Sequence, residues 1–176
     1  MGDDSRQKDN FGLEEVRSQI DDIDLKIQDL LNERAKCAER VADIKLSDLT
    51  QEVSSGIQTN LFYRPEREAQ VLRKIADRND GPMKSKALVT IFREIMSACL
   101  SLEKPLQVSY LGPQGTFSQA AALKHFGHAV ECNPVSTIDE VFADVESGQS
   151  DFGVVPVENS TEGMVNNTLD NFMDSA

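Results

Sequence analysis

One long stretch of regularly spaced apolar residues constrains this chain more than any other feature. Within 13–45 the apolar positions recur three or four residues apart, at Leu13, Val16, Ile20, Ile23, Ile27, Leu30, Cys37, Val41 and Ile44. This spacing predicts a helix about 50 Å long with one continuous apolar face. Because no single small domain is that wide, we expect the face to pack in part against another chain. Arg34 interrupts the face, and a buried guanidinium without an anionic partner is costly.

The charge of the chain is acidic overall and uneven along its length. A formal net charge of −12 argues against nucleic acid and acidic membranes as partners. Residues 1–104 hold 17 of the 18 Lys and Arg residues, so an anionic ligand is expected there. The three cysteines are scattered, and neither a signal peptide nor a long apolar run is present. These features predict a reduced, cytoplasmic protein without a metal site.

Two changes in amino-acid composition and hydrophobic pattern divide the chain into three parts. We predict a disordered tail over 1–10, an all-helical unit over 11–104 and an α/β unit over 105–176. In the helical unit, a mobile loop at 47–61 follows the long helix, and two shorter helices come next, the first beginning at Pro65. Because one copy of these three helices cannot enclose so long an apolar face, two copies would form an interlocked helical bundle.

The last unit alternates between strands and helices. Strands are predicted at 108–112, 129–133 and 152–157, each followed by a helix. Such alternation indicates parallel βαβ units. Three strands are few for an independent sheet, so we expect an incomplete domain whose exposed edge needs a partner.

Several charged residues of the helical unit could hold a small anion. Arg34 and Lys45 are about 20° apart around a helix and share the side of the apolar face. Arg17 lies roughly 25 Å from Arg34 along the axis, so it could join the same site only from an antiparallel partner helix. Spacing alone leaves two interpretations open: a ladder of interchain ion pairs that holds a dimer together, and a pocket for a small dicarboxylate.

Residues 11–104 resemble the all-helical class of chorismate mutase. The resemblance is carried by Arg17, Arg34, Lys45, the run Pro65-Glu66-Arg67-Glu68 and the face Ile95, Cys99 and Glu103. In that family two chains interlock their long first helices, and each active site borrows one arginine from the other protomer. The resemblance therefore implies that Arg34 and the partner subunit's Arg17 bind the two carboxylates of chorismate.

The same resemblance implies roles for the other matching residues. Arg67 would lie beside the carboxylates, Glu68 would bind the ring hydroxyl, and Lys45 and Glu103 would hydrogen-bond the ether oxygen. To donate that bond Glu103 must be protonated, so we expect a raised pKa there. Two positions depart from common family members: Cys99 replaces a serine and can only be a weak donor, and Arg64 replaces an acid at the rim.

Residues 106–176 are similar to the start of a prephenate dehydratase domain. The resemblance is carried by the segments GPQGTFSQAA, STIDEVF and GVVPVENSTEGMVNNTLD. It implies a two-lobed fold like that of periplasmic binding proteins, with the substrate in a cleft. The cleft would be lined in part by Ser118, Glu158, Asn159, Ser160 and Thr161. The family's Thr-Arg-Phe motif does not occur in these residues, so we expect a truncated domain that does not itself dehydrate prephenate.

The sequence therefore predicts a homodimeric chorismate mutase of phenylalanine biosynthesis, joined to part of a dehydratase that acts in a longer protein. The Claisen rearrangement of chorismate to prephenate needs positioning and charge stabilisation, and we expect no cofactor. The alternative is a non-catalytic helical dimerisation module, in which the cations pair only with acids.

Overall fold

The computed structural model describes residues 4–52, 63–159 and 163–175. Helix α1 spans Asp4–Glu52, α2 spans Pro65–Asp77 and α3 spans Ser85–Ser101. The bounds of α1 overlap the predicted disordered tail. They also run through 47–52, so the predicted loop is wrong over those residues; the rest of that loop lies outside the described part of the chain.

The apolar face of α1 is largely unpacked in the single chain. Its seam positions from Leu13 to Leu30 are 47–63% exposed, although their side chains are large and apolar. Near the other end of the helix Ala42 is buried, where α1 packs on α3. With 49 residues, α1 is about 73 Å long, far longer than the two helices beside it.

Helices α2 and α3 pack against each other through Leu72 and Ile75 of α2. Pro65 occupies the first turn of α2 as predicted, and Arg64 at the N-cap supplies no side-chain cap. The turn between the helices is closed by Asn79, whose Nδ2 donates to Met83 O at 2.8 Å.

The rest of the chain folds as a small parallel sheet with helices. Its elements are β1 Gln107–Leu111, α4 Phe117–Phe126, β2 Glu131–Val135, α5 Ile138–Glu146, β3 Phe152–Val154, β4 Glu158–Asn159, β5 Gly163–Met164 and α6 Asn166–Asp174. The first three strands are parallel in the order β2-β1-β3, which confirms the predicted βαβ pattern. The short antiparallel pair of β4 and β5 is not predicted by the sequence pattern.

Helices cover both faces of this sheet. On one face Val108 of β1 packs with Ala122 and Phe126 of α4. On the other face the next residue, Ser109, donates to Asp144 Oδ2 of α5 at 2.5 Å. With α4 and α5 on opposite faces, the connections leave β1 in opposite directions, and in such sheets ligands bind beyond the carboxyl ends of the strands at this point, between β1 and β3.

Helix caps fix the starts of α4 and α5. Thr116 Oγ1 accepts from Gln119 N, whereas the Gln119 side chain accepts from Gly115 N. A capping box fixes the start of α5. The capping box is formed by Thr137 and Glu140, because the chain becomes helical only at Ile138.

Candidate active site

A cavity of about 760 Å³ lies between α1, the start of α2 and the second half of α3. It brings together seven residues singled out from the sequence: Arg34, Lys45, Arg64, Arg67, Glu68, Cys99 and Glu103. Three elements supply them because each contributes one face to the same small bundle. The walls between these polar groups are largely apolar, with Ala38, Val41, Met96 and Leu100 among them.

Arg34 reaches this cavity from the apolar face of α1. Its Nη1 donates to Ile95 O of α3 at 3.5 Å, a long hydrogen bond that leaves most of the guanidinium directed elsewhere. Within the described part of the chain no carboxylate pairs with Arg34, Arg64 or Arg67. Three guanidinium groups that have no acidic partner among the described residues therefore border one hollow, which favours an anionic ligand.

Lys45 and Glu103 form a buried pair in the wall of the cavity. Lys45 Nζ lies 3.7 Å from Glu103 Oε2, beyond the usual length of a hydrogen bond. Among the described residues Glu103 Oε2 has no hydrogen-bond partner. Burial raises the pKa of Glu103, and the charge of Lys45 opposes that shift only in part. Burial at this position therefore disfavours the charged form of the carboxyl, relative to a glutamate in solvent.

The Glu68 carboxylate, which also lines the cavity, interacts with two side chains, those of Arg93 and Tyr63. Its Oε1 lies 3.5 Å from Arg93 Nε of α3. Tyr63 is its other neighbour: burial raises the pKa of Tyr63, and the charge and hydrogen-bonding capacity of Glu68 raise it further. Cys99 is buried in the cavity wall, and Arg64 is exposed at the rim.

Arg17 is remote from this cavity within its own chain. Its Nη1 lies 2.7 Å from Glu14 Oε1, and the pair is exposed on α1. Seventeen residues of helix separate it from Arg34, which corresponds to about 25 Å. The single chain therefore does not bring Arg17 to the site.

The candidate dehydratase residues lie at the other end of the molecule. Ser118 is in the first turn of α4, and Glu158 begins β4. These elements follow β1 and β3, so both residues lie beyond the carboxyl edge of the sheet. Asn159 is described only through its backbone in β4, and Ser160 and Thr161 lie outside the described residues.

The lining residues that sequence reasoning misses include Tyr63, Ser97 and Phe126. Tyr63 could have been found, because it is an aromatic residue directly before the cationic start of α2. Phe126 carries no such signal, since it belongs to the α/β unit and reaches the cavity only through tertiary packing.

A family model identifies the family to which the helical unit belongs. The family model for chorismate mutase type II matches residues 16–104, slightly more than half of the chain. The chain belongs to the chorismate mutase type II family. Beyond this chorismate mutase region, the prephenate dehydratase model matches residues 108–176.

Curated relatives contain both regions in one chain. A bifunctional chorismate mutase/prephenate dehydratase of Stutzerimonas stutzeri is 54% identical over 162 residues, which cover 92% of this chain and 43% of that protein. The protein of the same name in Pseudomonas aeruginosa is 55% identical with the same coverage. The one in Escherichia coli K12 is 26% identical, over 88% of this chain and 42% of that protein. The chain thus spans less than half the length of these relatives.

The solved structures that match include the prephenate dehydratase from Streptococcus mutans. It has a TM-score of 0.38 and 42% identity, and the match covers 40% of this chain and 37% of that chain. Across the described ranges, no helix combines the length and apolar character needed to cross a membrane.

Proposed function

We propose that this chain rearranges chorismate to prephenate in the cavity between α1, α2 and α3. The observation that carries the proposal is the set of three arginines that lack an acidic partner in the described part of the chain and border a hollow opposite Glu103. Chorismate has two carboxylates, an ether oxygen and a ring hydroxyl, and each has a complementary side chain here. The names of the curated relatives support the same activity.

The residue types suit a reaction that needs no nucleophile. Arg34 and Arg67 bind the carboxylates and fold the substrate into its reactive shape, while Glu68 binds the ring hydroxyl. Lys45 and protonated Glu103 stabilise the negative charge that grows on the ether oxygen as its bond to carbon breaks. A 10⁶-fold acceleration would need about 8 kcal/mol, which positioning and a few charged hydrogen bonds can supply. Cys99 forms part of the cavity wall, and the positive charge of Arg64 attracts the chorismate dianion at the rim of the cavity.

We infer that the active form is a homodimer. The exposed seam of α1 is an extended apolar surface that a second, antiparallel copy of the same helix would cover. In such a dimer the partner subunit's Arg17 is delivered to the cavity, some 25 Å from where its own chain holds it. Each site then contains Arg34 from one protomer and Arg17 from the other.

The α/β unit is the first part of a prephenate dehydratase domain in this proposal. We place the unit boundaries at 11–104 and 105–176, after a short tail. The region beyond the carboxyl ends of β1 and β3 would belong to a two-lobed, periplasmic-binding-protein-like cleft lined by Ser118, Glu158, Asn159, Ser160 and Thr161. Dehydration and decarboxylation of prephenate to phenylpyruvate would then require the greater length of the relatives.

A direct assay tests the mutase proposal. The purified chain is mixed with chorismate, the loss of chorismate and formation of prephenate are followed, and the mass of the protein in solution is measured. We expect turnover by a dimer. A dimer that leaves chorismate unchanged would instead support the alternative, a dimerisation module, which the exposed seam of α1 would equally explain.

A further inference from the structure

The helical unit and the α/β unit share one aromatic core. Tyr63 lies directly before α2, yet it is buried among residues of the α/β unit. Its ring centroid is 5.6 Å from that of Phe126 in α4 and 5.3 Å from that of Phe152 in β3, both edge to face. The ring of Tyr63 is therefore positioned by the packing of the second unit.

The polar end of the same residue faces the mutase cavity. Tyr63, Glu68 and Phe126 all line that cavity. Burial and the neighbouring Glu68 carboxylate both raise the pKa of Tyr63, as expected for a hydroxyl placed to donate to that carboxylate. Glu68 is a flexible side chain that also pairs with Arg93, and this donor on a fixed ring limits the directions the carboxylate can adopt.

A second contact fixes the α/β unit against α3 beside the cavity. Gly127 follows α4 with φ of +85°, and a Cβ at this position would lie 2.5 Å from Cβ of Ser97. The next residues continue the contact: His128 N donates to Glu94 Oε2 at 3.0 Å, and Ala129 N donates to Ser97 Oγ at 3.3 Å. Ser97 also lines the cavity, so this contact sets the distance between the α/β unit and the mutase site.

We propose that the α/β unit completes the mutase site, and that Tyr63 is the positioning residue that couples its docking to Glu68. The inference rests on the proposed mutase activity. Glu68 binds a hydroxyl that is present in both the substrate and the transition state. Misplacing this carboxylate should therefore weaken the binding of both states equally and change KM more than kcat.

Tyr63→Phe tests the hydroxyl alone, because the ring and its packing are retained. We expect KM for chorismate to rise about five- to tenfold while kcat stays within about twofold, as for the loss of one hydrogen bond to a charged group. Tyr110→Phe is the matched control. Tyr110 is a fully buried tyrosine in β1, and its hydroxyl has no hydrogen-bond partner among the described residues.

The outcomes of this pair separate the two proposals. An unchanged KM in Tyr63→Phe, or an equal rise in Tyr110→Phe, overturns the positioning role while leaving the mutase assignment intact. Absence of turnover in the unaltered protein overturns the mutase assignment itself.

Gly127→Ala tests the docking of the α/β unit. The new methyl group collides with Ser97, so we expect the same direction of change in KM as for Tyr63→Phe. Gly115→Ala is the control, because Gly115 has a similar φ of +84° and nothing within 4 Å of an added Cβ. Both variants place an alanine at a similar positive φ, but only Gly127→Ala disturbs the contact with α3.

The double variant shows whether Gly127→Ala and Tyr63→Phe change KM through the same interaction. If docking acts through the Tyr63 hydroxyl, adding Gly127→Ala to Tyr63→Phe should raise KM no further than Tyr63→Phe does alone. A rise equal to the product of the two single effects would mean that docking and the hydroxyl act independently, and the proposed coupling would be wrong.

Discussion

Lys45 and Glu103 face each other across 3.7 Å, in a wall of the cavity where both side chains are largely withdrawn from solvent. The lysine does not cancel the cost of burying the carboxylate, because the pKa of Glu103 remains raised. One cation and one carboxyl group with a raised pKa therefore lie together in the cavity wall. This pair is suited to an oxygen atom that becomes negative during a reaction.

The first prediction concerns pH. Raising pH through the Glu103 pKa converts a hydrogen-bond donor into a charge that repels the developing oxyanion. We expect kcat/KM of the unaltered protein to fall about tenfold per pH unit above that pKa. In Glu103→Gln the amide donates at every pH, so its profile should be flat over the same range. Rates of chorismate loss at a series of pH values measure both, and two superimposable profiles would contradict the role of Glu103.

The raised pKa also has a consequence for stability. Below the pKa of an unfolded glutamate both states hold the proton, and this group does not oppose folding. As pH rises from the unfolded-state pKa through the folded-state pKa, the unfolded chain has already lost the proton that the buried carboxyl still retains. The free energy of unfolding therefore falls over this range. Urea unfolding should show a smaller decline across this range in Glu103→Gln than in the unaltered protein.

The second prediction concerns the shared site. Arg17→Ala and Arg34→Ala should each lower kcat/KM by about 10³-fold or more while leaving the dimer intact, because each removes one charged contact to a substrate carboxylate. Loss of the dimer in Arg34→Ala would favour the dimerisation module. Arg73→Ala, at an exposed position of α2 outside the cavity lining, serves as the control.

Mixing the two inactive variants gives a sharper result. In a mixed dimer one site has both arginines and the other has neither. Random reassembly of equal amounts should therefore restore about a quarter of the activity of the unaltered protein. A mixture that is shown to form mixed dimers but remains inactive would mean that Arg17 is not shared between protomers.

The third prediction concerns the apolar seam of α1. Ile23→Glu places a carboxylate on the exposed apolar face and should raise the dimer dissociation constant at least about a hundredfold, because the charge would be buried unpaired. Gln28→Glu adds the same charge to the same helix, off the seam, and should leave the dimer unchanged. Analytical ultracentrifugation over a concentration series compares them, and equal dissociation constants would exclude this face from the interface.

Some details of the fold could not be read from local sequence. The predicted second strand stops before Pro134, whereas β2 continues through it to Val135. Proline lacks an N–H donor, and it is tolerated here because β2 lies at the edge of the sheet and pairs only with β1. The order of strands, which is a tertiary property, decides this point. Likewise, residues 47–52 have the composition of a loop but continue the α1 helix.

The sequence by itself determined the long helix with its apolar seam, the parallel βαβ pattern and the set of charged residues placed on shared helix faces. These features follow from the fixed periods of helices and strands, which depend on neighbours only a few residues apart. Only the tertiary structure decided that Arg34 opens onto a hollow, that Lys45 stays 3.7 Å from Glu103, and that Tyr63 joins the second unit to the first. Those relationships arise from packing between residues distant in the chain, and spacing along a sequence carries no measure of such contacts.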